Sequence, residues 1–403
     1  MDEYFRCFLT KWALAGVIFI ALLVALNVMV DPYMVIGVPR VAGFNARKPS
    51  IETHTYLLKA YDVLRADPRT VLLGTSTVGL GIDANDAAWP SKDRPVYNLS
   101  IQGRGPYTAF RYLQHIASRT DLDLVVMGLD FNFFLDAPDP VELGPEFEQR
   151  LAVLPDGQVN TRQAWQRIRD VLQTTFSLDT VSESVVTLSA NVRGESPNIV
   201  AGNWENSGYF RFIAQTGGRY VSLWDRRIID LYRGKQVSPK AMESVKAIIH
   251  LCETRRIRLI LFISPIHADE LEVLDVVGSW KNFEDWKRGL VALASERPPA
   301  GSDVTVSLWD FSEYDAYSTE SPSEDATMRW FRDSSHYSRE LGRVIVQRIL
   351  GGGDVHFGSL LSLETLDARL LDIQRQRDLY RKEKPHESQR VRDLYKSMYA
   401  DVQ

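Results

Sequence analysis

Val71-Leu72-Leu73-Gly74-Thr75-Ser76 is the stretch that decides how this chain is read. An apolar run closed by small residues, then Thr77-Val78-Gly79-Leu80-Gly81, predicts a buried strand running into a tight bend that presents a serine. In an open parallel sheet, ligands bind beyond the carboxyl ends of the strands, where this serine would sit. A serine hydroxyl is a weak nucleophile until a neighbouring base takes its proton. The candidate base lies far along the chain in Phe331-Arg332-Asp333-Ser334-Ser335-His336-Tyr337. Asp333 and His336 share one short loop there, so the carboxylate can accept the imidazole proton and set the tautomer. The expectation is that Ser76 attacks, His336 takes its proton and Asp333 orients the ring. The competing readings are a turn or N-cap serine, and a surface histidine beside a helix start.

Outward from this stretch the chain alternates strands and helices. Strands are expected at Thr70 to Leu73, Pro95 to Leu99, Leu122 to Leu129, Ile257 to Ser264 and Val304 to Trp309. Helical spacing falls between them at Tyr107 to Ser118, Pro239 to Arg256 and Asn282 to Glu296, with a closing helix at Arg339 to Leu350. Short apolar strands alternating with amphipathic helices specify an α/β domain with a mostly parallel, doubly covered, five-stranded sheet over 68–352. Residues 137–238 interrupt the rhythm and read as an insertion. Its helical pattern near Thr161 to Gln173 and its aromatic residues Trp204, Tyr209, Phe210, Tyr220 and Trp224 suggest a cover over the sheet that shapes a cleft, or plain packing beside the core. Residues 353–403 are densely charged with apolar residues at helical spacing, including Leu366, Leu370, Ile373, Leu379 and Tyr380. A helical tail docked on the domain or on a partner is expected.

The chain has 403 residues, enough for a sizeable core, with a formal net charge of −5. No basic footprint for nucleic acid is present. The two cysteines, Cys7 and Cys252, make no disulfide framework. From Trp12 to Val30 there is no charged residue, and a run of about 20 such residues matches the thickness of a bilayer. A signal peptide is the alternative, but the run is long and no Ala-x-Ala-like site precedes Asp31. Arg6 and Lys11 before the run favour an N-in orientation. The expected organisation is a cytoplasmic tail over 1–11, a transmembrane helix over 12–30, a juxtamembrane connector over 31–67, and the α/β domain beyond.

Leu73-Gly74-Thr75-Ser76 early in an α/β domain, with Asp333-Ser334-Ser335-His336 before its last helix, resembles the SGNH (GDSL-type) hydrolase superfamily. With the apolar segment, it is most similar to membrane-attached envelope members that O-acetylate exopolysaccharides such as alginate. The resemblance implies an SGNH-like three-layer sandwich and a Ser76–His336–Asp333 triad. It also implies oxyanion donors from the serine N–H, a glycine after the second strand and an asparagine after the third. Gly103, in Asn98-Leu99-Ser100-Ile101-Gln102-Gly103, supplies the glycine. The third block departs from Gly-x-Asn-Asp: this chain has Gly128-Leu129-Asp130-Phe131-Asn132. A carboxylate cannot donate a hydrogen bond unless protonated. Either Asn132 supplies the donor, or Asp130 holds substrate hydroxyls, or the hole is built differently.

Ile263-Ser264-Pro265-Ile266-His267 closes the fourth strand, so His267 is expected at the same edge, contacting substrate or bonded to backbone. No His-Glu-x-x-His spacing, phosphate loop or complete dinucleotide fingerprint occurs, so no metal and no cofactor is expected. What the resemblance implies is a single-pass inner-membrane protein whose periplasmic domain moves an acyl group, acetyl in the nearest members, to or from an envelope polysaccharide. A membrane acyl-donor protein is the implied partner, with lipid around 12–30. The alternative is a catalytically silent scaffold of the same fold in a polysaccharide assembly.

Overall fold

In the computed structural model, residues 2–52, 54–136, 144–194, 199–200, 203–204, 222–296, 304–321 and 328–399 are described. Strands β1 (Thr70–Leu73), β2 (Val96–Asn98), β3 (Leu124–Leu129), β6 (Arg258–Ile263) and β7 (Val306–Asp310) pair in parallel in the order β2-β1-β3-β6-β7. These are the five strands expected. Between β3 and β6 lies a separate two-stranded antiparallel ladder, β4 (Ile199–Val200) with β5 (Asn203–Trp204).

The sheet has six strands rather than five. Strand β8 (Ser359–Leu361) pairs antiparallel with β7 and closes that edge. It falls where only helical tail was expected. Three residues are too few to display the alternation that betrays a strand. The chain reaches the β7 edge through a turn at Gly358, with φ +74°, where a Cβ would lie 2.2 Å from the Phe311 ring.

Alternate residues of the strands enter two apolar clusters, one on each face. Val71 and Leu73 join Met127, Leu129 and Leu261, while Leu72 joins Val126 and Phe262. The first face is covered by α4 (Pro106–Ala117), α9 (Pro239–Arg255) and α11 (Trp280–Ala294). The second is covered by α3 (Ser76–Gly81) and α12 (Arg339–Ile349).

Helix α1 (Asp2–Val30) contains the expected apolar segment and is long and apolar enough to cross a membrane. Its end is locked to the connector, because the Lys48 ammonium donates to the Val30 carbonyl at 2.5 Å and the Asp31 carbonyl at 2.9 Å. Helix α2 (Thr55–Ala66) follows. The insertion contributes α5 (Gly144–Arg150), α6 (Gln163–Phe176), α7 (Leu178–Val192) and α8 (Ser222–Tyr232). Tyr209, Phe210 and Tyr220, and the side chains of Trp204 and Trp224, lie outside the described residues.

Helices α13 (Leu366–Glu383) and α14 (Pro385–Tyr399) form the tail and dock on the domain, α13 beside α11 and α14 beside α10 (Ala268–Val276). Leu366, Leu370, Ile373, Tyr380 and Val391 are buried in the main cluster, whereas Leu379 is exposed. Arg381 pairs with Glu272 at 3.0 Å and Asp275 at 2.6 Å, fixing the approach.

Candidate active site

Sequence order places Ser76 at the end of β1, and local packing fixes how it is held. Gly74 adopts φ +148°, and a Cβ there would lie 2.5 Å from the Val78 side chain. A Cβ on Gly128, next door on β3, would lie 2.3 Å from the same side chain. Two glycines therefore let Val78 wedge between the strand ends. Thr75 caps α3 by accepting the Thr77 N–H, so Ser76 is the first helical residue. From β2, the Asn98 amide donates to the Val78 and Ile82 carbonyls, each at 3.1 Å. The buried Lys59 ammonium donates to the Asn98 and Ser100 carbonyls at 2.8 and 2.6 Å. Burial pulls its pKa down to about 7.

The structure brings Ser76, His336 and Asp333 together. Ser76 Oγ lies 2.8 Å from His336 Nε2, and His336 Nδ1 lies 2.9 and 3.0 Å from the two Asp333 oxygens. Asp333 Oδ1 also accepts the backbone N–H groups of Ser335 and His336, at 2.9 and 2.8 Å, which stiffens the loop. The loop is pressed against the serine helix by close backbone contact. A Cβ on Gly342 in α12 would lie 1.8 Å from the Gly81 carbonyl oxygen. One on Gly81 would lie 2.1 Å from the Tyr337 ring. Gly81 thus serves packing of α3 against the histidine loop and α12, whereas Gly79 lets α3 approach Ser100, where a Cβ would lie 2.9 Å from the hydroxyl.

Burial pushes the His336 imidazole toward neutrality, but the Asp333 charge and its hydrogen bond outweigh this, helped by Asp130 and Glu270. The net direction is upward from the ordinary 6.5.

Asp130 buttresses the serine turn. Its Oδ2 accepts the Thr75 hydroxyl at 2.5 Å and the Thr77 hydroxyl at 2.7 Å. As the acceptor in both bonds, it is no donor to an oxyanion. Its other oxygen, Oδ1, is buried without a hydrogen-bond partner, as is the Ser264 hydroxyl. Both residues line the same cavity of 380 Å³, which also includes Ser76, His336, Gly103 and Asn132. Gly103 sits there in a left-handed turn, with φ +67°. Gly103 and Asn132 thus border the cavity that the serine faces.

His267 is not among the residues around this cavity. It is fully buried beneath the site, its Nε2 2.7 Å from the Glu320 carbonyl, and its Nδ1 accepts the Asp269 N–H at the start of α10. Its own N–H donates to the Ser334 carbonyl at 2.8 Å. Of the two expected roles, it has the backbone-bonded one, and through Ser334 it holds the histidine loop in place.

Sequence reasoning passed over Glu270, which is buried and accepts the Ser335 hydroxyl at 2.5 Å and the Tyr232 hydroxyl at 2.5 Å. Burial pushes its carboxyl up to about 6, against the pull of those two bonds. The available signal was its place three residues after the capping His267, where a glutamate belongs in a helix's first turn. Tyr232 comes from α8, so the insertion does reach the cavity wall, with Leu231 beside it. Among the described residues, no group of His, Cys, Asp and Glu is arranged to hold a metal ion.

A cavity at the carboxyl edge of a parallel sheet, with a serine bonded to a carboxylate-oriented imidazole, defines the site by its chemistry. No protein-family model matches the chain, and no curated protein sequence matches it significantly.

Proposed function

We propose that the chain is a membrane-anchored serine acyl-ester enzyme of the SGNH type, its site on the extracytoplasmic side. The observation behind this reading is the continuous hydrogen-bond chain Ser76–His336–Asp333 opening on a 380 Å³ cavity. His336 Nε2 takes the Ser76 proton as the oxygen attacks an ester carbonyl, and Asp333 stabilises the imidazolium that forms. The Gly103 N–H and the Asn132 amide are the donors for the tetrahedral oxyanion. His336 then gives its proton to the departing alcohol, leaving the acyl group on Ser76. An acceptor hydroxyl, deprotonated by the same imidazole, removes the acyl group and regenerates the serine.

A sugar hydroxyl as acceptor makes the protein a transferase, and water makes it an esterase. O-acetyl transfer to or from an envelope polysaccharide is the member of this class that the family resemblance names. Leu129, Phe131, Leu231, Ile263 and Phe283 give the cavity an apolar wall for the acyl group. Asp130 and Ser264 line the same cavity, each with a buried oxygen that has no hydrogen-bond partner.

A serine-directed fluorophosphonate tests the reading. Wild-type protein is expected to be labelled and Ser76→Ala not. Folded wild type that resists labelling would favour the silent scaffold.

A further inference from the structure

Helices α6 and α7 are built inside out. On α6 the buried residues are Gln166, Asp170 and Thr175, and on α7 they include Thr180, Ser184, Thr187 and Asn191. The outward face of α6 is instead Trp165, Ile168, Leu172 and Phe176, each at least 49% exposed. Their spacing of three or four residues makes one continuous stripe. Leu178, Val185 and Val192 repeat every seventh residue along α7 and are 54 to 78% exposed.

Much of the inward polar face is hydrogen-bonded, although the Thr187 hydroxyl is buried without a hydrogen-bond partner. The Asp170 carboxylate accepts the Tyr61 hydroxyl at 2.6 Å, the Gln166 amide at 2.8 Å and the Arg150 guanidinium at 2.8 Å. In water this arrangement would bury what water solvates and expose what water rejects. It is the pattern expected where the surroundings are apolar.

The hairpin is also continuous with the apolar helix α1. The Asn27 amide donates to the Thr175 and Ser177 carbonyls at 3.0 and 3.2 Å, at the bend between α6 and α7. The Ser184 hydroxyl donates to Asn27 Oδ1 at 3.0 Å. Asn27, the polar residue of the apolar run, is thereby fully engaged. Beyond this junction, toward the start of α1, Trp12, Val17, Phe19 and Leu22 are exposed. The exposed apolar surface of α1 and that of the hairpin therefore meet at one junction.

At 14 residues, α6 is about 21 Å long, too short to cross a hydrocarbon core of about 30 Å. We propose that α6 and α7 form an interfacial membrane-docking element, their outer stripes set among lipid acyl chains beside α1. Trp165 sits at headgroup level, and the exposed Arg169 reaches phosphate groups. The domain is then held against the bilayer at two places rather than swinging on a single helix.

The test uses the full chain in phosphatidylethanolamine–phosphatidylglycerol vesicles whose acyl chains are brominated near the headgroup, which quenches nearby tryptophan. Wild type, Trp12→Phe and Trp165→Phe are compared. The quenched fraction of emission is expected to fall in Trp165→Phe by at least as much as in Trp12→Phe. An unchanged quenched fraction in Trp165→Phe overturns the proposal. That is also the result if a protein partner, or a second copy of the chain, covers the face instead.

Discussion

Two histidine-bearing loops leave the carboxyl edge of the sheet, and they have opposite characters. His336 faces a serine oxygen on one side and a carboxylate on the other. His267 faces a backbone carbonyl on one side and a helix N–H on the other. Both rings are buried. Burial therefore does not distinguish a base from a brace. What distinguishes them is whether the partner atoms can exchange a proton with the ring and whether a cavity adjoins it. The backbone carbonyl and amide N–H bonded to His267 offer no such exchange, and its ring does not border the cavity.

The sharpest way to break this contrast is to remove each ring. His336→Ala is expected to slow fluorophosphonate labelling of Ser76 in the folded protein by at least about a thousandfold, with some loss of stability as the buried Asp333 carboxylate loses its partner. Labelling that survives this change would mean the serine is activated by something else.

The next effect in size is Gly342→Ala. Its new methyl has to move the Gly81 carbonyl, for which we expect about 3 kcal/mol of lost stability in urea titration, together with slower labelling as the serine helix is displaced. A variant as stable as wild type would show that α3 and the histidine loop are not held by this contact.

His267→Ala should cost about 2 kcal/mol, from a lost helix cap and a half-buried Glu320 carbonyl left without its partner. Labelling of the folded fraction should be largely retained. Loss of labelling at unchanged stability would erase the distinction between the two loops.

The smallest effect concerns pH. Only the neutral His336 ring accepts the serine proton, so a raised pKa places the acid limb of the labelling rate above the ordinary 6.5. Asp333→Asn removes the charge that raises it, and the limb should move to lower pH as the plateau rate drops. A limb that stays in place would show that Asp333 does not set the basicity of the ring.

Much of this was legible in the chain. The strands at 70–73 and 258–263 are apolar runs bounded by breakers, and such information is contained within a few neighbouring residues. The serine turn and the Asp333–His336 loop are local as well. Their meeting was inferred from the rule that parallel strands end at a common edge.

Other features depend on partners far away in sequence. Whether Asp130 donates or accepts was settled by Thr75 and Thr77, more than 50 residues earlier. His267 caps its own helix, but its ring and backbone are also bonded to Glu320 and Ser334, more than 50 residues away. Strand β8 exists because β7 offers an edge for it.

The chain by itself determined the α/β alternation, the apolar helix and the chemical groups available at the sheet edge, because periodicity and residue type are local properties. Only the tertiary structure decided which way α6 turns its stripe, what His267 is bonded to and what Asp130 holds. An amphipathic pattern says that two faces differ. The neighbours packed against it decide which face is inside.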